Sequence, residues 1–223
     1  ALPAPSNAAP SWTVLPPNGS MQFTGPGFGD GSGVMPYGPH THRCGFAIVE
    51  VRKVRGIFQL HSCLLGPLPG PLQATPAAEA SALLHYIRNV VDKENMIFYS
   101  DCQWVVDCFE RGWLGCTGAS HVHADIWRRI KTAHDARAHT IRIAKVKAHV
   151  TDADLTAGYP SWFKEGNAVA DAGAKLGRTM HPRDPPLELK ISKAFMLVQI
   201  IGRFIARTSV EITKTNDDTP LFE

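Results

Sequence analysis

Four carboxylates stand in settings where an acid is either costly or poised for chemistry: Asp30, Glu79, Asp101 and Asp171. Asp30 follows a weak strand and opens the turn-like Asp30-Gly31-Ser32-Gly33. Glu79 falls in the first turn of an apolar helix whose face must pack on a sheet. Asp101 comes directly after the short apolar run Met96-Ile97-Phe98-Tyr99 and Ser100. That places it at the carboxyl edge of a buried strand, where open α/β sheets take their ligands. Asp171 sits within the small-residue segment 168–174 (AVADAGA), which lets a helix approach other backbone closely. Singly, three of them have a plain explanation: Glu79 as a helix-start acid, Asp101 as a cap, Asp171 as a solvated helix residue. Brought together, they would repel one another unless cations lay between them. A donor set made only of oxygen selects Mg²⁺ or Mn²⁺ over zinc.

The elements that must position these acids are legible in order. Residues 1–20, rich in Pro and Ala and without charge, read as a flexible linker. Met21, Phe23 and Phe28 hint at a poor strand interrupted by Gly25-Pro26-Gly27. Residues 34–41 read as a Pro/Gly loop. Residues 44–51 (CGFAIVEV) and 57–65 (IFQLHSCLL) then form an antiparallel hairpin around a basic turn at 52–56. After the tight loop 66–71, the segment from Pro76 (PAAEASALLHYIRNVVDKE) is the strongest helix. Thr75 is its expected N-cap, and Glu79 falls at the capping-box spacing from it. The strand through Tyr99 and a helix bearing Trp104, Val105, Cys108 and Phe109 follow. Residues 121–139 read as a helix with Trp127 in the core, and 140–150 (TIRIAKVKAHV) as a half-buried strand. A long loop, 151–161, leads to a helix ending at Gly177. These elements define one α/β domain over 21–178.

Residues 179–223 form a C-terminal extension, with an amphipathic helix at about 188–207 whose apolar run is too short to span a bilayer. That helix reads as an accessory or docking element, with no membrane partner.

Composition narrows the class of function. The chain of 223 residues is 44% hydrophobic, ample for a core, and its net charge is only +3. That balance excludes a histone-tail type of binder but allows an enzyme that grips phosphate locally. Arg128, Arg129, Lys131, Arg142, Lys145 and Lys147 are the candidates for such a grip. Five cysteines without a CxxC pair suggest neither a disulfide framework nor a zinc knuckle, and fit a reducing, intracellular setting. The start, ALPAPSNAAP, has no charged or apolar leader region and no initiator Met, so the chain reads as a fragment or processed piece of a longer one.

One succession of residues carries a resemblance. Asp30-Gly31-Ser32, Gly45-Phe46-Ala47-Ile48-Val49, Ala78-Glu79, Tyr99-Ser100-Asp101-Cys102, Val146-Lys147-Ala148-His149 and Gly166-Asn167-Ala168-Val169-Ala170-Asp171 follow in that order over about residues 21–178. The series resembles type 1 ribonuclease H, most closely the versions attached to retroelement reverse transcriptases. The resemblance implies a ribonuclease H-like α/β fold: a five-stranded mixed sheet, its first three strands antiparallel, flanked by helices. It implies hydrolysis of the RNA strand of an RNA–DNA hybrid, with Asp30, Glu79, Asp101 and Asp171 holding two Mg²⁺ ions, Mn²⁺ serving as a substitute. His149, on a flexible loop after the last strand, would handle a proton or help product leave. Gly31, Ser32, Gln73 and Asn167 would contact substrate, the first two through backbone amides near the RNA 2′-OH. Ala74 and Ala77 depart from the family pattern: a hydroxyl that would contact the DNA phosphate is missing or replaced by Thr75 one place on, and an arginine common just before Ala-Glu is absent. Other domains of a longer polyprotein are the further partners implied. Two other readings remain: a catalytically silent nucleic-acid-binding module of the same fold, and another nuclease of the superfamily.

Overall fold

The computed structural model describes residues 4–34 and 41–217, so most of the Pro/Gly loop at 34–41 lies outside the described residues. Six strands form one sheet in the order β1-β4-β3-β2-β5-β6. They are β1 Ser11–Val14, β2 Gly27–Val34, β3 Arg43–Val54, β4 Ile57–Pro67, β5 Met96–Ser100 and β6 Ile141–Lys145. β2, β3 and β4 make an antiparallel meander, and β5 and β6 add to it in parallel. The helices are α1 Thr75–Asn89, α2 Gln103–Glu110, α3 Leu114–Thr117, α4 Ala124–Asp135, α5 Asp152–Thr156, α6 Ser161–Thr179 and α7 Pro185–Asp217. The sheet is thus mixed, its first long strands antiparallel and helices on both faces, as the ribonuclease H-like reading implies. It has six strands rather than five. The extra one, β1, lies in the segment read as a linker, where Ser11, Trp12 and Val14 pair with Leu65, Leu64 and Cys63. Trp12 anchors it against Phe23, ring centroids 4.7 Å apart. Prolines on either side hide so short a strand from any reading by composition.

Two apolar clusters fill the two faces. One, under α1 and α4, contains Phe46, Leu83, Ile87, Phe98, Trp127 and Ile130; the other, under α6, contains Phe28, Ala47, Val49, Tyr99 and Ala170. The β3–β4 hairpin is longer than its apolar runs. Pairing continues to Val54 and Ile57 around a two-residue turn, Arg55-Gly56, with φ of 52° and 85°. Two positive φ values give the turn the right-handed twist that hairpins favour.

The segment around Asp30 forms no turn. β2 runs straight through Asp30-Gly31-Ser32-Gly33, in register with Ala47, Phe46, Gly45 and Cys44. Its alternate glycines face α1: a Cβ on Gly29 would come within 2.1 Å of the Phe98 ring, and one on Gly31 within 2.4 Å of the Glu79 backbone nitrogen. Only a strand bare on that face lets α1 lie so close. The opposite positions, Phe28, Asp30 and Ser32, face α6, which approaches through its own small residues: a Cβ on Gly177 would meet the Gly66 carbonyl at 2.5 Å.

α1 forms as its alanines and apolar stripe require, with Pro76 in its first turn. Its N-cap is Ala74, not Thr75, and no capping box closes. Glu79 is drawn instead to the sheet, where its carboxylate comes to lie beside that of Asp30. At the other end, Arg137 donates to the carbonyls of Ile87, Val90 and Val91 at 3.0, 3.0 and 2.9 Å. This guanidinium occupies the role that a C-cap side chain fills at a helix terminus. The expected helix 121–139 shortens to α4, and the expected strand 140–150 to β6. The long loop 151–161 contains α5, closed by a capping box between Thr151 and Asp154.

Beyond residue 184 the chain enters α7, on which Leu189, Leu197, Val198, Ile200, Phe204 and Ile205 are all exposed. Among the described residues, no helix is long and apolar enough to cross a membrane.

Candidate active site

Register brings the acids together. β2 and β5 run parallel, with Gly29 opposite Ser100 as their last pair. The next residue on each strand is therefore a neighbour of the other, and those residues are Asp30 and Asp101. α1 crosses the Gly31 face with its first turns, so Glu79 arrives at the same point. Carboxylate oxygens of Asp30, Glu79 and Asp101 lie within 4.8 Å of one another. Asp30 and Glu79 are each only 7% exposed, and Asp101 is half-buried.

Such crowding forces protons onto the cluster. Burial, then the Asp101 charge, push the Asp30 carboxyl up from 3.8 to about 7. Burial, then the charges of Asp30 and Asp101, raise Glu79 well above the usual carboxylate range. One Glu79 oxygen, Oε2, is buried with no hydrogen-bond partner. A buried acceptor left unpaired is costly, and a cation is the partner that would satisfy it while relieving the repulsion. The donors are all hard oxygens, so the residues fit a divalent cation of the Mg²⁺ or Mn²⁺ kind.

Asp171, expected as the fourth ligand, is not among the three. It lies on α6, close enough for its charge to raise Asp30, and its carboxylate accepts from Lys175 Nζ at 2.6 Å, one turn along the helix. Asn167, expected at the substrate, donates from Nδ2 to Asp101 Oδ2 at 2.9 Å. Its own Oδ1 is buried and unpaired. The aromatic cluster at the start of α6 fixes this reach. Phe28 and Tyr99 stack at 5.0 Å, and Trp162 meets both edge-on at 5.0 and 5.2 Å.

The remaining expected contacts divide. Gly31 and Ser32 are buried in β2, and the Ser32 hydroxyl accepts from Arg178 Nη1 at 3.1 Å. Gln73 does not offer its amide to a substrate. Its Oε1 accepts from Cys44 N at 2.8 Å, and its Nε2 donates to the carbonyls of Leu68 and Gly70. The side chain is consumed in pinning the loop before α1 to β3. His149 is exposed beyond the end of β6, with φ of 50°. A left-handed conformation at a residue other than glycine needs its flanks held.

Of the basic candidates, Lys131 pairs with Asp135, Lys147 with Asp154, and Arg128 with the Thr117 carbonyl. Arg129 and Arg142 carry no ion pair among the described residues. Lys145 Nζ donates to the main-chain oxygen of Asp101. Lys145 and Arg178 reach the site from positions that no motif marks. The alternation of 140–150 marked Lys145 only as one basic residue among several.

No family model and no curated protein matches the sequence. Among solved structures, the chain is similar to LC9-RNase H1, described as a type 1 RNase H with the type 2 active-site motif. That pair shares 14% identity over 72% of this chain and 75% of the other, with a TM-score of 0.46. RNase H1 from the halophilic archaeon Halobacterium salinarum shares 16% over 68% and 95%, with a TM-score of 0.43. LC11-RNase H1 in complex with an RNA/DNA hybrid shares 14% over 69% and 96%, with a TM-score of 0.45. The fold is defined by its own strand order and register.

Proposed function

We propose that the chain is a cation-dependent endoribonuclease that hydrolyses the RNA strand of RNA–DNA hybrids. One observation carries the reading: three acids from separate elements, the middle of β2, the start of α1 and the end of β5, converge within 4.8 Å at the edge of the sheet. A fold tolerates buried like charges of this kind poorly unless a cation belongs among them. The order of acids and the motifs around them, through Val146-Lys147-Ala148-His149 and Gly166-Asn167, support the assignment to hybrid cleavage.

Asp30, Glu79 and Asp101 would hold the cations, with Asp171 as a further ligand once its carboxylate leaves Lys175. Cations held there would supply Lewis-acid stabilisation of the charge that develops as water displaces the 3′ oxygen from phosphorus. Asn167 orients Asp101 by holding its Oδ2, leaving the other oxygen to face the reaction. His149 offers an exposed imidazole nitrogen for proton transfer at the leaving 3′ oxygen. Gly31 and Ser32 border the position of the RNA strand, whose 2′-OH distinguishes it from DNA.

The test is cleavage of a 5′-labelled RNA annealed to DNA, in Mg²⁺, Mn²⁺ or EDTA, beside single- and double-stranded RNA and an Asp101→Asn variant. Cation-dependent cutting confined to the hybrid and abolished by the substitution is the expected result. Intact hybrid binding without cutting would refute the enzyme and leave the silent module. Cutting that survives in Asp101→Asn would refute the site.

A further inference from the structure

We propose that Asp154 is a positioning residue that presets the His149 turn by gripping the chain on both sides of it. The proposal rests on the assignment of His149 as the proton carrier and deepens it.

The last sheet contact of this segment is the bond from Val146 N to the Ser100 carbonyl, 3.0 Å. From there to α5, residues 147–151 belong to no helix or strand. His149 lies four residues beyond Lys145, whose ammonium reaches the Asp101 main chain. Four residues span at most about 14 Å. An unrestrained loop would therefore spread the imidazole over distances much larger than proton transfer tolerates.

The structure shows a clamp instead of a free loop. Asp154 Oδ1 accepts from Lys147 Nζ at 2.5 Å, two residues before His149. Asp154 Oδ2 accepts from the backbone nitrogen and the hydroxyl of Thr151, both at 2.8 Å, two residues after it. One carboxylate thus holds both ends of the turn in which His149 adopts a φ of 50°. Two further ties brace the clamp itself. Lys147 N donates to Tyr159 Oη at 2.8 Å, and Lys164 Nζ on α6 donates to Asp152 Oδ1 at 3.1 Å. Asp154 makes none of its hydrogen bonds to Asp30, Glu79 or Asp101, so it acts on the acids only through the turn and through the start of α5, which its bonds to Thr151 also cap. The carboxyl is held down at about 2 by Lys147 and Thr151, which keeps the clamp charged at neutral pH. Residues 151–161, which in sequence read as a long loop, thereby acquire a task.

The experiment uses the full chain and four variants: Asp154→Ala, Asp154→Glu, His149→Ala and the double Asp154→Ala/His149→Ala. Single-turnover and steady-state cleavage of the hybrid are measured beside amide hydrogen exchange at Thr151 without substrate. Asp154→Ala is expected to lower kcat about tenfold with KM changed less than twofold. Asp154→Glu should recover most of the loss. In the His149→Ala background the same substitution should cost less than twofold, because residues acting as one unit are non-additive. Equal losses in both backgrounds would overturn the proposal, as would an unchanged kcat in Asp154→Ala. If the parent chain fails to cut hybrid, the nuclease reading falls, and exchange decides the clamp separately. Faster exchange at Thr151 in Asp154→Ala upholds a clamp on the turn; unchanged exchange refutes it whatever the cleavage assay shows.

Discussion

Replacing Asp30 by Asn should stabilise the cation-free protein, and by an amount that grows with pH. Asp30 is 7% exposed beside Glu79 and Asp101, and its carboxyl is raised from 3.8 to about 7. A carboxyl raised on folding binds its proton more tightly in the native state than in the unfolded one. Below pH 3.8 it changes nothing; from there to about 7 stability falls as pH rises, and above 7 the full penalty remains. A shift of about three pH units corresponds to roughly 4 kcal/mol at 1.36 kcal/mol per unit. Sharing of the proton with Glu79 and residual order in the unfolded chain reduce this to about 2–4 kcal/mol. Asn keeps the shape and removes the charge, so Asp30→Asn at pH 8 in EDTA should melt about 5–15 °C above the parent. At pH 5 the gain should shrink to less than half, since most of the penalty is then absent. Mg²⁺ or Mn²⁺ should raise the parent's melting temperature by mass action and the variant's much less. Thermal melts followed by circular dichroism at pH 5 and 8, with EDTA or cation, decide the matter. A variant that melts at or below the parent at pH 8 in EDTA would refute the argument from burial and repulsion.

Two more outcomes follow from the same structure. Arg137→Ala removes a guanidinium only 8% exposed that satisfies three carbonyls at the end of α1. It should cost about 2–4 kcal/mol, lowering the urea midpoint by about 1–2 M; a drop below about 0.3 M would show that water replaces it. Ending the chain before Pro185 should move the melting temperature by less than about 2 °C, because the apolar residues of α7 from Phe195 onward are exposed, Leu187 and Ile191 are only half-buried, and the ion pair lost is the surface pair Arg183–Glu188. A larger fall would mean that α7 docks on the domain in solution.

What the sequence determined is what period and local chemistry can carry. α1, β5 and the β3–β4 hairpin follow from apolar spacing and turn residues, and the acids Asp30, Glu79 and Asp101 could be named from their settings. Their convergence could not be derived from those settings, because it depends on register between β2 and β5, and a strand slipped by one residue would send Asp30 to the other face. The glycines of β2 look like a turn in one dimension. In three they are the bare face that admits α1, since a Cβ at Gly31 would strike the Glu79 backbone. Gln73 and Asn167 have the residue types of ligand contacts, but the tertiary structure turns one to the loop before α1 and the other to Asp101. β1 was hidden because its stability comes from the Phe23 ring and the edge of β4, not from its own propensity. Local pattern fixes which segments form helices and strands; long-range pairing and close packing fix which side chains meet, and the site is built from those meetings.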